Sequence, residues 1–309
     1  MVKNINLGII GLSEGNGHPY SFSAIINGFD KESMKNSGWG VIYDYLIERK
    51  ESEFGFDGVK VTHVWTQDIG ESERLSKASK IPNIVKKLDD VADQVDGVIL
   101  ARDDYENHYE MSKIFLKKNK YVFIDKPLSI NVEELKFFKP YLKCGKLMSC
   151  SGVRYAKELD ELRDNISEFG DIKLVRGAVM NNLEKYGVHM LDGIFSIINF
   201  KIRSINYIPS NHDSIIIHNA DKSIIQVDAL KETAKTYQFD FWSDKKRFHA
   251  EIRDNFSMFK RALWNFIEMI RTDKPQIDPD AVVKIMKILI AANISKKYRR
   301  EVQLDEIRI

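Results

Sequence analysis

The stretch Ile5-Asn6-Leu7-Gly8-Ile9-Ile10-Gly11-Leu12-Ser13-Glu14-Gly15-Asn16-Gly17-His18-Pro19-Tyr20 decides how the rest of the chain is read. The apolar run Ile5–Ile10 stops at Gly11. A run this short, closed by glycine, reads as a strand buried on both faces. The residues from Tyr20 to Phe29 read as the helix that follows. A strand that ends in glycine and feeds a helix is where a doubly wound sheet meets a dinucleotide. Glycine lets the backbone approach the pyrophosphate, and the helix N-terminus supplies N–H donors. The spacing is not a regular G-x-G-x-x-G: Ser13 stands at the second glycine and the loop is lengthened. Gly11, Leu12 and Ser13 therefore admit two readings, a pyrophosphate cradle or a structural glycine turn.

Outward from this stretch, strands and helices alternate. Val59–Trp65, Gly97–Ala101, Tyr121–Ile124 and Lys146–Ser149 read as strands. Helical spacing falls on Trp39–Glu53, Glu71–Ser79, Asn107–Lys118 and Val132–Leu142. This alternation implies α/β architecture, a parallel sheet with helices on both faces. Beyond Cys150 the rhythm changes. A helix over Lys157–Phe169, a strand over Ile172–Met180 and a helix over Tyr186–Ile198 precede four β-branched and aromatic runs. Those runs, Ile202–Ile208, Ile215–His218, Ile224–Leu230 and Tyr237–Trp242, read as an open, mostly antiparallel meander. Two long helices, about Asn255–Thr272 and Asp280–Arg299, close the chain. At 309 residues two domains are expected. We divide them as 1–150, a dinucleotide-binding Rossmann domain, and 151–309, a substrate and dimerisation domain.

Composition excludes several classes. The 47 basic and 45 acidic residues leave a net charge of +2, too little for a global field that would hold nucleic acid or an anionic membrane. No apolar run approaches the length of a membrane span, and the N-terminus carries no targeting pattern, so a cytoplasmic location is expected. Two cysteines, Cys144 and Cys150, make no disulfide scaffold and no zinc spacing.

Three further places carry possible chemistry. Asp68 follows the second strand, where an acidic residue would hold ribose hydroxyls and favour NAD over NADP. It sits equally well as a helix N-cap. Asp125-Lys126-Pro127 ends an apolar strand at the carboxyl edge of the sheet, where open α/β sheets bind ligands. Lys126 there either steadies negative charge on a substrate oxygen or is a solvated lysine before a helix-starting proline. Gly187-Val188-His189-Met190-Leu191-Asp192 opens an apolar helix. Three residues apart, His189 and Asp192 share a helical face. His189 suits general acid/base work, or is a core histidine bonded to Asp192.

In their order and spacing these pieces resemble the Gfo/Idh/MocA family, the glucose–fructose oxidoreductase and inositol dehydrogenase relatives, over nearly the whole chain. Asn4–Leu12 resembles the family's opening strand and turn. Asp125-Lys126-Pro127 resembles its Glu-Lys-Pro motif, and Gly187–Asp192 its Gly-x-His-x-x-Asp helix. The resemblance implies an NAD- or NADP-dependent oxidoreductase, NAD being favoured. It implies hydride transfer between nicotinamide and a carbinol or carbonyl carbon of a sugar or sugar derivative. By the same resemblance Gly11, Leu12, Ser13, Asp68, Ala101, Arg102, His108, Asp125 and Lys126 face the cofactor. Lys126, Arg154, Lys185, His189 and Asp192 face the substrate, with Lys126 holding its oxygen and His189 moving its proton. A homodimer or homotetramer through the C-terminal sheet is also implied.

Three positions depart from the family pattern. Ser13 replaces the second glycine, Arg102-Asp103-Asp104 replaces the usual proline, and Lys185 stands where an aspartate commonly precedes the histidine. Lys185, Arg102 and Arg154 suggest instead an anionic group on an activated or acidic sugar. The alternative to an enzyme is a non-catalytic sensor of dinucleotide or sugar on the same fold.

Overall fold

A computed structural model of the protein describes residues 4–309. It divides into two compact units. Residues up to Leu128, Phe137–Ser149 and Phe259–Ile277 make the first; Ser129–Lys136, Cys150–Met258 and Asp278–Ile309 make the second. Phe259–Ile277 thus belongs with the N-terminal half although it lies far beyond Cys150 in the chain.

The first unit is built on a six-stranded parallel sheet: β1 (Ile5–Ile10), β2 (Val59–Trp65), β3 (Asn83–Ile84), β4 (Gly97–Leu100), β5 (Tyr121–Ile124) and β6 (Leu147–Ser149), in the order β3-β2-β1-β4-β5-β6. Strand β1 is central, and Leu7, Ile9 and Ile10 are fully buried, as its unbroken apolar run requires. The helices are α1 (His18–Asn27), α2 (Lys31–Lys35), α3 (Gly40–Ile47), α4 (Ile69–Ala78), α5 (Leu88–Val91), α6 (His108–Lys117) and α7 (Val132–Lys143). Helix α1 carries proline in its first turn, where a missing N–H costs nothing. The helix expected over Trp39–Glu53 stops at Ile47. Its chain is turned back because Phe54 packs on Phe29, ring centroids 5.5 Å apart, and Gly55 N–H donates to the Ile25 carbonyl. The helix Asn255–Thr272 explains why Phe259–Ile277 joins this unit: Phe259, Leu263, Phe266, Ile267 and Ile270 are buried. Phe259 and Phe266 meet Phe22 and Phe123 in a ring cluster with centroids 5.2–6.1 Å apart.

In the second unit the expected long helix over Lys157–Phe169 is reduced to α8 (Asp160–Asn165) between short 3-10 turns. Arg163 bonds both Asp160 and the Arg154 carbonyl, which draws the segment into tighter turns. Then follow β7 (Ile172–Val179), α9 (Leu183–Phe195), β8 (Ile202–Pro209), β9 (Asp213–Asn219), β10 (Ile224–Ala229), β11 (Tyr237–Ser243) and β12 (Arg247–Glu251); after α10 (Asn255–Thr272), most of which belongs to the first unit, come α11 (Pro279–Tyr298) and β13 (Val302–Gln303). The seven-stranded sheet has the order β12-β11-β7-β10-β9-β8-β13. It is mostly antiparallel, but β7 inserts between β11 and β10 and runs parallel to β10. One face is closed by α9 and α11 over Phe241, Val175, Ile225, Ile217 and Ile205, all buried. Side chains alternate to the opposite face, which carries Trp242, Leu174, Ile224 and Ile216 among charged residues.

Phe123 joins β5 to the returning helix, so Phe123→Ala should cost about 3–5 kcal/mol of stability. The midpoint of urea unfolding measures it, and a loss below about 1 kcal/mol would mean that the ring cluster does not hold the helix Asn255–Thr272 in this unit.

Candidate functional site

At the carboxyl edge of the first unit's sheet the lengthened loop is held by side chains. The Gln67 amide clamps Leu12 from both sides: its Oε1 accepts the Leu12 N–H at 2.9 Å, and its Nε2 donates to the Leu12 carbonyl at 2.6 Å. Ser13 Oγ donates to Asp103 Oδ1 at 3.0 Å and accepts the Asp103 N–H at 3.2 Å. Asn16 donates to Asp125 at 3.0 Å and, through its side-chain oxygen, accepts the His18 N–H at 2.8 Å. A side chain at Gly11 would strike Pro19, with a contact of 2.6 Å, so that glycine is required by packing against α1. Gly15 is different. It lies at φ +73 with nothing within 4 Å, at the open apex of the loop. Among the described residues the amides of Glu14, Gly15 and Gly17 have no partner within the protein. Donors at an open glycine apex before a ten-residue helix fit a bound phosphate, so the loop suits a dinucleotide.

Two buried acids organise the same edge. Lys126 Nζ lies 3.6 Å from Asp103 Oδ2, with both side chains nearly excluded from solvent. Asp125 Oδ2 lies 2.5 Å from His18 Nδ1. Burial alone would raise the Asp125 carboxyl. The charge and hydrogen bond of His18, with Lys126 and Asn16, outweigh it and hold the carboxyl well below the ordinary range.

Several residues expected to meet a ligand are otherwise engaged. Asp68 Oδ1 accepts the Glu71 N–H at 3.1 Å and caps α4, the second of its two readings. His108 is fully buried, and its two ring nitrogens face the carbonyls of Arg102 and Leu128 at 2.9 and 3.1 Å. It braces the turn after β4 against the chain beyond Lys126, and no ring nitrogen is left for a cofactor. Arg102 grips Asp104 through Nε and Nη2 and donates Nη1 to Gln67. Ala101 is buried at the end of β4, where its N–H donates to the Ile10 carbonyl.

In the second unit His189 is buried on α9. Its Nδ1 lies 2.7 Å from Ser151 Oγ, which also accepts the Val153 N–H. The rings of Tyr186 and Tyr237 stand edge-on to it, each with its centroid 5.4 Å away. Asp192 accepts the Ser151 N–H at 2.6 Å and Arg154 Nε at 2.7 Å. Burial raises the Asp192 carboxyl despite the Arg154 charge. Arg154 is thereby spent on an internal ion pair, as Arg102 is in the first unit. The group of cations expected to receive an anionic sugar therefore has two of its members neutralised. Lys185 is half-buried in the first turn of α9, where its N–H donates to Asn182. Sequence reading missed Ser151, Asp103, Asn16 and Gln67. Only Ser151 carried a usable signal, as the small polar residue that opens the stretch after β6.

The architecture is that of a two-unit oxidoreductase: a parallel, doubly wound sheet with a phosphate-ready loop, followed by a mixed sheet carrying a histidine helix. Residues 5–145 match the model of the Gfo/Idh/MocA oxidoreductase family, described as an oxidoreductase family with an NAD-binding Rossmann fold. No curated protein sequence matches it. Among solved structures it is similar to apo scyllo-inositol dehydrogenase from Lactobacillus casei, with a TM-score of 0.78, 13% identity, and coverage of 98% of this chain and 99% of that one. The same enzyme with bound cofactor NAD(H) and scyllo-inositol gives a TM-score of 0.77 at 15% identity, covering 98% and 100%. The myo-inositol 2-dehydrogenase from Lactobacillus plantarum gives 0.77 at 15%, covering 97% and 99%. Among the described residues no helix is long and apolar enough to cross a membrane, and no cluster has the makings of a metal site.

Asp125→Asn should destabilise the protein by about 1–3 kcal/mol at pH 6. The native carboxyl titrates lower than the unfolded one, near about 3.9, so its contribution is complete above that pH and fades as pH falls further. The gap between the urea midpoints of wild type and variant should therefore begin to narrow as pH falls below about 3.9 and go on narrowing down through the lowered native titration; a constant gap would show that the carboxylate charge is not what His18 and Asn16 recognise.

Proposed function

We propose that the protein oxidises a carbinol of a neutral polyol, a sugar or cyclitol, or reduces the corresponding carbonyl, with NAD as the hydride partner. The observation that carries this reading is the buried Lys126 ammonium at the carboxyl edge of an NAD-family Rossmann sheet, balanced by Asp103. When bound, the nicotinamide supplies a two-electron hydride acceptor or donor. The loop amides from Glu14 to Gly17 are assigned to the pyrophosphate. Asp68 at the end of the second strand, which caps α4, opposes a 2′-phosphate and favours NAD over NADP.

Lys126 donates a hydrogen bond to the reacting oxygen and steadies negative charge as it develops there. Asp103 keeps the ammonium charged and aimed. His189 takes or returns the hydroxyl proton, and Ser151 holds Nδ1 so that Nε2 serves the substrate. Ser151 thus takes the orienting part that the family commonly gives to an acid at the position of Lys185. A neutral substrate follows from the internal pairing of Arg102 and Arg154.

With a panel of polyols, appearance of the reduced nicotinamide absorbance band should select neutral compounds over uronates and sugar phosphates. Lys126→Ala should lower kcat by about 10²–10⁴, with cofactor quenching of tryptophan fluorescence retained. Ser151→Ala should lower kcat more than it raises KM and should shift the pH profile of kcat, which a purely structural serine would not do. Full turnover in Lys126→Ala would remove this lysine from the chemistry.

The open face of the mixed sheet supports assembly as a homodimer or homotetramer. Trp242 is 37% exposed, and its cross-strand row continues through Leu174 and Ile224. Trp242→Glu should shift the sedimentation coefficient to that of a monomer; a wild type that sediments as a monomer throughout the micromolar range would dismiss the assembly.

A further inference from the structure

The segment from Gly28 to Gly58 lengthens the distance between the glycine loop and the second strand, and nothing in the reading above uses it. It builds a cavity of about 450 Å³ in the first unit. The lining includes Lys60 near the start of β2 and the residues that follow α1, so the cavity lies at the amino edge of the parallel sheet. The glycine loop and Lys126 lie at the opposite, carboxyl edge.

Its floor is apolar and fixed. Ile26 and Leu46 are fully buried, and the rings of Phe29 and Phe54 stand together on one wall. Asn27 locks the end of α1 to β2, donating to the Val61 carbonyl at 2.8 Å and accepting the Val61 N–H at 2.9 Å. Its rim is cationic. Lys31, Arg49, Lys60 and Lys80 line it against a single lining carboxylate, Glu51. Among the described residues Lys31, Lys60 and Lys80 have no carboxylate within salt-bridge distance. Arg49 pairs with Glu53 at 3.7 Å. Lys80 is held at φ +53 directly after α4, a left-handed conformation that turns the chain at the rim.

The volume is that of a metabolite site, and an apolar floor with a few convergent charged groups is how such sites are lined. Lys31, Lys60 and Lys80 around one mouth exceed what the single lining carboxylate Glu51 would balance, and they match a dianionic group with several acceptor oxygens. We propose that this cavity is a second ligand site, taking a small organic phosphate with an apolar or aromatic body and lying at the opposite sheet edge from the cofactor loop.

Pyridoxal 5′-phosphate is a probe of that chemistry. Its aldehyde condenses with a lysine amine, releasing water to give an imine, and borohydride reduces the imine to a stable secondary amine. With one equivalent of probe and the full chain, peptide mapping should find more than half of the label on Lys31, Lys60 and Lys80. Millimolar inorganic pyrophosphate should suppress labelling at those three lysines by at least threefold. A label spread over the other surface lysines or concentrated on Lys126, or labelling at the three that pyrophosphate does not suppress, would overturn the site. Because no turnover is measured, its failure is separate from any failure of the oxidoreductase reading.

Discussion

A buried ammonium needs a counter-charge, and that requirement organises the carboxyl edge of the first sheet. Removing an isolated lysine charge from water is costly enough that the group would neutralise instead. Lys126 is almost fully buried and has Asp103 beside it. Asp103 in turn must be satisfied, and Ser13 does this with both its hydroxyl proton and its oxygen. Two departures from the family pattern are therefore one feature. A glycine at position 13 would leave Asp103 Oδ1 without the Ser13 hydroxyl, and loss of the Asp103 carboxylate would remove an anion 3.6 Å from Lys126. The serine that breaks the glycine motif thus belongs to the same chain of contacts as the buried lysine.

The same logic governs the histidine helix. Four residues before His189 stands a lysine, so the ring cannot be oriented by an acid from its own helix. Ser151 orients it from another segment, and Asp192 fixes the Ser151 backbone while holding Arg154. Ser151, Asp192 and Arg154 share one mutual arrangement, so none is easily changed alone. A neutral serine also differs from an aspartate in kind: it fixes the ring's direction without stabilising an imidazolium by charge. Proton transfer at His189 would then rely on the ring's own basicity, whereas an acid partner would raise it.

What the sequence revealed and what it hid divide along the range of the interactions. Strand β1 was legible because a strand buried on both faces can only be an unbroken apolar run. The cap at Asp68 was legible as one of two readings because Asp-x-x-Glu before a helix is a local pattern. The parallel pairing of β7 with β10 was not, because strand neighbours separated by about fifty residues leave no periodic trace. The return of Phe259–Ile277 to the first unit was hidden for the same reason. An amphipathic helix shows which face is apolar but not which core receives it. Site residues followed this division. Lys126 and His189 stand in motifs, whereas Asp103, Gln67 and Asn16 act across intervals of 55 to 109 residues with no local signature.

Charge pairing also narrows the substrate. Counting cations in the sequence pointed to an anionic sugar, since Arg102, Arg154 and Lys185 all fall near the presumed chemistry. The structure turns two of them inward: Arg102 makes a bidentate pair with Asp104, and Arg154 a buried pair with Asp192. A guanidinium so engaged presents no net field to a ligand, and releasing it would strand a buried carboxylate at a cost of several kcal/mol, about 3–5 when one partner of a buried pair is removed. A neutral polyol avoids the conflict. It asks only for hydrogen bonds, and the groups best disposed to make them are the ones whose own partners hold them in place.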